Sequence, residues 1–193
     1  MEGREVSTRD VILDAAAKVL RTHGLANATT REIARAAGFS EATLYKHFRD
    51  KVDLMVAVLH ERGPQFIPLL QTLPARAGKG DLREILTELA TVAIGFYRDG
   101  FPMFVSIFSD PAILAAHREQ LRAQNLGPHR ANDALADYLR AEQALGRVSP
   151  DADLVAVAAL LLGACFQHAF ITNFADRRAD ADAARGFVAE LRL

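Results

Sequence analysis

Apolar residues along the 193-residue chain recur at helical spacing, not at the two-residue period of a strand. Val11, Ile12, Ala15, Ala16, Val19 and Leu20 line one face of a first helix. Ser7-Thr8-Arg9-Asp10 opens it as a capping box, with a hydroxyl for a free amide and a carboxylate at the positive end, and His23-Gly24 is expected to close it. A second box, Thr29-Thr30-Arg31-Glu32, opens a short helix through Ile33, Ala34 and Ala37 that ends at Gly38. Ser40 is an N-cap for a third helix over 41–48. Asp50 caps a fourth, carrying Val52, Leu54, Met55, Val58 and Leu59 as far as Arg62-Gly63-Pro64. Pro68, Pro74 and the stretch 75–80 predict a break between two units. Further helices are predicted over 81–99 with a stop at Gly100, from Asp110-Pro111, and over 128–145, 150–174 and 179–193. The expectation is an all-α chain of about nine helices.

Composition narrows the function. The chain is 50% hydrophobic with 23 Lys and Arg against 24 Asp and Glu, which excludes both intrinsic disorder and a globally basic, histone-like protein. The charge is uneven: residues 1–51 hold nine cations and seven anions, or +2, and the remainder is −3. Cys165 is the only cysteine, so no intramolecular disulfide or multi-cysteine zinc site is possible. The apolar run 154–166 is 13 residues, too short to span a bilayer, and the polar first ten residues read as no targeting peptide. A cytoplasmic protein without a membrane partner is expected. There is no Gly-rich phosphate loop, Gly-x-Ser-x-Gly or His-Glu-x-x-His. Cys165 and His168 on one apolar helix read as packing, and His117 and His168 lack a third ligand at a recognisable spacing. No catalytic residue, metal or cofactor is therefore expected.

Residues 29–55 carry the chemistry. A helix-turn-helix needs a small residue where its helices cross, a left-handed turn and a polar start to the second helix, and Ala34, Gly38 and Ser40 supply them in order. The run TTREIARAAGFSEATLYKHFRDKVDL resembles the DNA-binding signature of the tetracycline-repressor (TetR) family of bacterial regulators. The resemblance covers about 8–60 and is most specific in Leu-Tyr-x-His-Phe-x-x-Lys, with a looser likeness at 139–146 and after Pro150. Ala42 stands where many members have glycine. The resemblance implies an N-terminal three-helix, homeodomain-like DNA-binding domain over 1–51. It also implies a helical effector-binding and dimerisation domain over 52–193, with helix 50–62 as connector.

At the matching positions the resemblance implies that Glu41, Ala42, Tyr45 and Lys46 enter the major groove or line its walls, behind Ser40 at the helix start. Glu41 can accept from a cytosine amine, Ala42 can touch a thymine methyl, and Lys46 can reach guanine or phosphate. Thr30, Thr43, Tyr45, His47 and Lys51 are expected on phosphates, and Arg31 on a base or a phosphate. Four of these have a blander alternative: Tyr45 packing in the core with only its hydroxyl exposed, Lys51 as a solvated charge, Glu41 favouring the helix N-terminus, and His47 covering Phe48 or capping the helix. Ile33, Ala34, Ala37, Leu44 and Phe48 are expected in the core.

One such module contacts only a few base pairs, so a homodimer on a palindromic DNA operator is expected, paired through the apolar helix after Pro150 and the terminal helix. The remaining chain is rich in aromatic residues. Phe96, Met103, Phe104, Phe108, Phe166 and Phe170, with His117, Gln167 and His168 as polar groups, are candidates for binding a small apolar or aromatic effector that shifts the protein away from its DNA-binding form. The sequence thus reads as a ligand-responsive regulator, most simply a repressor. The alternative is a helical protein–protein adaptor that has lost specific DNA binding.

Overall fold

Helix starts lie where short polar side chains offer an oxygen to a free amide. In the computed structural model, which describes residues 7–62, 65–109, 111–123, 127–175 and 180–193, the Ser7 hydroxyl accepts the Asp10 N–H at 3.1 Å and opens α1 (Thr8–Asn27). Thr29 and Glu32 form a reciprocal capping box at the start of α2 (Thr30–Ala36). Ser40 accepts the Thr43 N–H and begins α3 (Glu41–His47), and Asp50 accepts the Asp53 N–H at the start of α4 (Lys51–Arg62). The later helices are α5 (Phe66–Arg76), α6 (Leu82–Phe108), α7 (Pro111–Ala123), α8 (His129–Ala144), α9 (Leu154–Thr172) and α10 (Asp180–Ala189). Asp81 caps α6 and Asp153 caps α9.

The described residues hold ten helices and no strand, one helix more than the sequence predicts. The extra one, α5, occupies the expected break. Pro68 falls in its first turn, where the missing N–H breaks no intrahelical bond, and Pro74 lies in its last turn. Phe66, Leu70 and Leu73 are buried at helical spacing, and that packing outweighs the proline signal. A second correction concerns α6, which runs through Gly100 to Phe108. Glycine costs a helix only about 1 kcal/mol against alanine, and the buried Ile107 keeps the apolar stripe going. Likewise α1 passes Gly24, and α9 starts at Leu154 instead of directly after Pro150.

Two compact units result. The first holds α1 to α4 with residues Gly100–Leu114; the second holds α5, the earlier part of α6, α7 from Ala115, and α8 to α10. In the first, α1 packs on α2 and α4 and α2 packs on α3, around Ile12, Leu13, Ile33, Leu44 and Leu54, all fully buried. In the second, α8 packs between α5 and α9, and α10 packs on α9. A buried acid joins the turn after α5 to the end of α8. The Glu142 carboxylate accepts the Gly78 N–H at 3.1 Å and pairs with Arg147 Nε at 3.2 Å, while Arg147 Nη2 donates to the Gly80 carbonyl at 2.6 Å. Gly78 has φ +75°, a conformation that favours glycine, while a Cβ there would meet only the mobile tip of the exposed Leu145 side chain.

The helix α9 is long and apolar enough, by length and composition, to cross a membrane, although the uninterrupted run within it is short. Its Leu154, Ala158, Leu161, Leu162, Cys165 and Ala169 are buried inside the chain. On the other face Val155, Leu160, Phe166, Phe170 and Ile171 are exposed.

Candidate nucleic-acid interface

The pair α2–α3 is held from its ends inward. Gly38 takes φ +77° in the turn, a conformation an L side chain rarely adopts, and its N–H donates to the Arg35 carbonyl. With only seven residues, α3 cannot persist alone; it depends on the Ser40 cap, on Leu44 at 0% exposure and on the buried Phe48, whose N–H donates to the Leu44 carbonyl. Fixing Leu44 and Phe48 inward turns Ala42, Tyr45, Lys46 and His47 outward, and all four are exposed. Ile33, Ala34, Leu44 and Phe48 are in the core as expected, whereas Ala37 is half-buried.

Hydrogen bonds refine the polar set. Thr30 donates its hydroxyl to Glu41 Oε1 at 2.6 Å, and the Tyr45 hydroxyl donates to Thr30 Oγ1 at 3.4 Å. A hydroxyl has one proton, so Thr30 spends on Glu41 the donor that was expected to reach a phosphate. The Glu41 carboxylate is correspondingly committed to α2 through one oxygen, which leaves less of it for a base. Ser40 acts as the N-cap and sits 3.0 Å from the Thr43 hydroxyl. Arg31 is exposed on α2, as is Arg35 four residues on, a cation the motif reading passed over although the spacing puts both on one face. Lys51 is half-buried in the first turn of α4. Exposed Arg49 is drawn toward α4, its guanidinium 3.6 Å from Asp53.

The expected effector residues are distributed over both units. Phe104 packs on Phe101 in the first unit, where Phe108 is exposed; the Met103 side chain lies outside those described. In the second unit Phe96 is buried against Phe66, and Tyr97 bridges Phe66 and Phe96 to Phe166 with ring centroids 5.4–5.9 Å apart. Phe66 was not singled out from the sequence, whereas Tyr97 belongs to the aromatic supply of the middle segment read there. Burial, with the Cys165 thiol nearby, pushes the Tyr97 phenol up to about 12, and burial pushes Cys165 up to about 12. This interior is apolar and uncharged at neutral pH. His168 is instead engaged with α10: its Nε2 lies 3.6 Å from Asp180 Oδ1, its ring meets Phe187, and Asp180 is also ion-paired to Arg98. Phe170 packs on Phe174, Gln167 is exposed, and His117 is half-buried on α7. Among the described residues no His, Cys, Asp and Glu cluster is arranged to hold a metal.

A capped, glycine-turned helix pair that presents a cationic and hydroxyl-bearing face has the geometry of a helix-turn-helix. Residues 12–58 match the family model described as bacterial regulatory proteins, tetR family. A Bacillus subtilis (strain 168) protein, the uncharacterised HTH-type transcriptional regulator YvkB, is 28% identical over 133 residues, which is 69% of this chain and 66% of that one. The fatty acid metabolism regulator protein of the same organism is 26% identical over 66% of this chain and 60% of its own length. The chain thus spans less than two thirds of these two relatives. Thermus thermophilus FadR, a TetR-family transcriptional repressor solved with lauroyl-CoA, superposes with a TM-score of 0.59 at 26% identity, over 94% of this chain and 91% of that one. Over residues 12–58 the chain is therefore similar to the DNA-binding module of the tetR family of bacterial regulatory proteins.

Proposed function

We propose that the chain is a cytoplasmic repressor that binds a palindromic operator as a homodimer and leaves it when an effector occupies the second unit. One observation carries the reading: burying Leu44 and Phe48 turns a short, capped α3 so that Tyr45, Lys46 and His47 stand outward, with Arg31 also exposed on α2. In this reading residues 1–51 read DNA and 52–193 bind effector and partner. Tyr45, Lys51, Thr43 and His47 position the module on phosphates, Lys46 and Ala42 contact bases, and no residue is catalytic.

The exposed face of α9 supports the homodimer. Leu160 is 68% exposed, and a Cβ added at Gly163, one turn on, would meet nothing within 4 Å, so a second helix can approach closely there. The effector proposed is a fatty acyl thioester, its acyl chain taken by apolar surface near Tyr97 and Phe166. Two of the relatives support that class: one is a fatty acid metabolism regulator, and the other was solved with lauroyl-CoA.

Selection of bound duplexes from a random DNA pool tests the reading, followed by titration of the recovered complex with lauroyl-CoA. The expected result is a palindrome whose binding weakens steeply with salt and is reversed by the acyl thioester. Recovery of no common sequence would favour the adaptor alternative. Retention of the complex at saturating lauroyl-CoA would overturn the effector class while leaving operator binding in place.

A further inference from the structure

We infer that Arg9 is a positioning residue for the DNA-reading helix: it ties the far end of α4 to the residue that closes α3. The inference rests on the repressor reading above and adds to it a device that sets where α3 points.

The contact between α1 and α4 is otherwise aliphatic, and apolar contact is non-directional, so it resists separation far better than sliding. Charges supply the missing direction. Arg9 Nη1 donates to Glu61 Oε2 at 2.8 Å and Arg9 Nη2 to Glu61 Oε1 at 2.6 Å, a two-pronged fork that fixes distance and angle together. The same guanidinium lies over the Phe48 ring, 5.3 Å from its centroid, and Phe48 is the C-cap of α3. One side chain of α1 therefore touches both the last turn of α4 and the end of α3.

The next residue of α4 repeats the pattern with the signs exchanged. Arg62 Nε donates to Asp14 Oδ1 at 2.6 Å and Arg62 Nη2 to Asp10 Oδ1 at 2.9 Å. Along α1 the order is Arg9, Asp10, Asp14; along α4 it is Glu61, Arg62. A register that set Arg9 against Arg62, or one that set Glu61 against Asp10, would bring like charges together, so the crossed arrangement disfavours both. Arg9 and Glu61 keep 40% and 36% of their side-chain surface exposed, and pairs so placed add little to global stability. What they set is geometry, and a change of geometry at the end of α4 is passed to α3 through Phe48.

The test uses the full chain, the palindrome it selects from a random pool and a scrambled duplex of the same length, with each affinity measured by fluorescence anisotropy. Arg9→Ala is expected to weaken operator binding about tenfold while changing scrambled-duplex binding less than about twofold, with thermal melting confirming the fold. Arg9→Glu and Glu61→Arg are each expected to lose more, and combining them is expected to recover operator affinity above either single variant. Arg9→Lys, which keeps the charge over Phe48 and loses the fork, should fall between wild type and Arg9→Ala. Equal losses on both duplexes would make Arg9 a phosphate contact and overturn the inference, as would unchanged affinities or a double variant no better than the singles. Wild-type chain that binds both duplexes equally would instead overturn the repressor reading on which the inference rests.

Discussion

Helices α3 and α9 solve opposite problems. The first has seven residues, turns only Leu44 inward and ends on the buried Phe48, and is held by the Ser40 cap, a glycine turn and a hydroxyl–carboxylate bond. The second has nineteen residues, almost all apolar, and buries one side while leaving Val155 and Leu160 exposed. A short polar helix can be specified locally, because caps and turns act within a few residues of themselves. A long apolar helix needs partners, and the number of exposed residues tells how much partner is missing. The contrast gives each region its own vulnerability: α3 to loss of packing or of single polar groups, α9 to anything that keeps a second chain away.

The largest expected effect comes from putting a charge on the exposed face. Leu160→Glu should leave a folded monomer by sedimentation and circular dichroism and weaken operator binding by about a hundredfold or more, since the two half-sites no longer reinforce each other. A variant that remains dimeric with unchanged operator affinity would place the subunit contact elsewhere. Next is Leu44→Ala, which removes a fully buried side chain and should cost about 2–5 kcal/mol of stability in denaturant titrations. The same truncation at Leu160 should act on the dimer dissociation constant and spare the fold, so equal unfolding losses at both positions would erase the distinction drawn here.

Smaller effects separate phosphate contacts from base contacts. Lys51→Ala should weaken operator and random DNA alike and reduce the slope of log affinity against log salt by about 1, whereas Lys46→Ala should change which sequence is preferred.

The smallest expected effects are in pH, and they divide the two regions by sign. In the first unit, hydrogen bonds from Arg9 hold Glu61 below its ordinary value, and those from Ser7 and then Arg62 hold Asp10 below its own. The stabilisation from these carboxylates is complete above about pH 4 and disappears as pH falls through their lowered values. In the second unit, Tyr97 and Cys165 are both raised to about 12, so folding favours their protonated forms. That contribution is complete below the ordinary thiol value of about 8.5 and is lost as pH rises from there toward 12. Denaturant midpoints at pH 3, 7 and 10.5, read by probes in each unit, check both signs; a first unit indifferent to acid would remove the charged clamp from the account.

Much of this organisation is legible in the chain itself. Ser7, Thr29, Ser40, Asp50 and Gly38 announce helix ends because a cap or a left-handed turn is a local event, and each occurs where its residue type predicts. The inward set Ile33, Ala34, Leu44 and Phe48 follows from helical spacing alone. Proline and glycine mislead where packing outweighs them: α5 survives Pro74 and α6 survives Gly100 because buried side chains on either side repay a lost hydrogen bond or a flexible backbone. The surroundings of His168 were less legible, because Asp180 and Phe187, which engage it, lie more than ten residues away.

The sequence by itself determined the all-helical class, the helix-turn-helix and its likeness to the tetR family, because these rest on caps, turns and apolar periods that lie within a few residues. Only the tertiary structure decided that Glu41 is committed to Thr30, that Arg9 joins the ends of α3 and α4, and which side of α9 stays exposed. Those outcomes depend on pairs separated by eleven to more than fifty positions. What such side chains meet depends on how helices cross, and no local pattern encodes that.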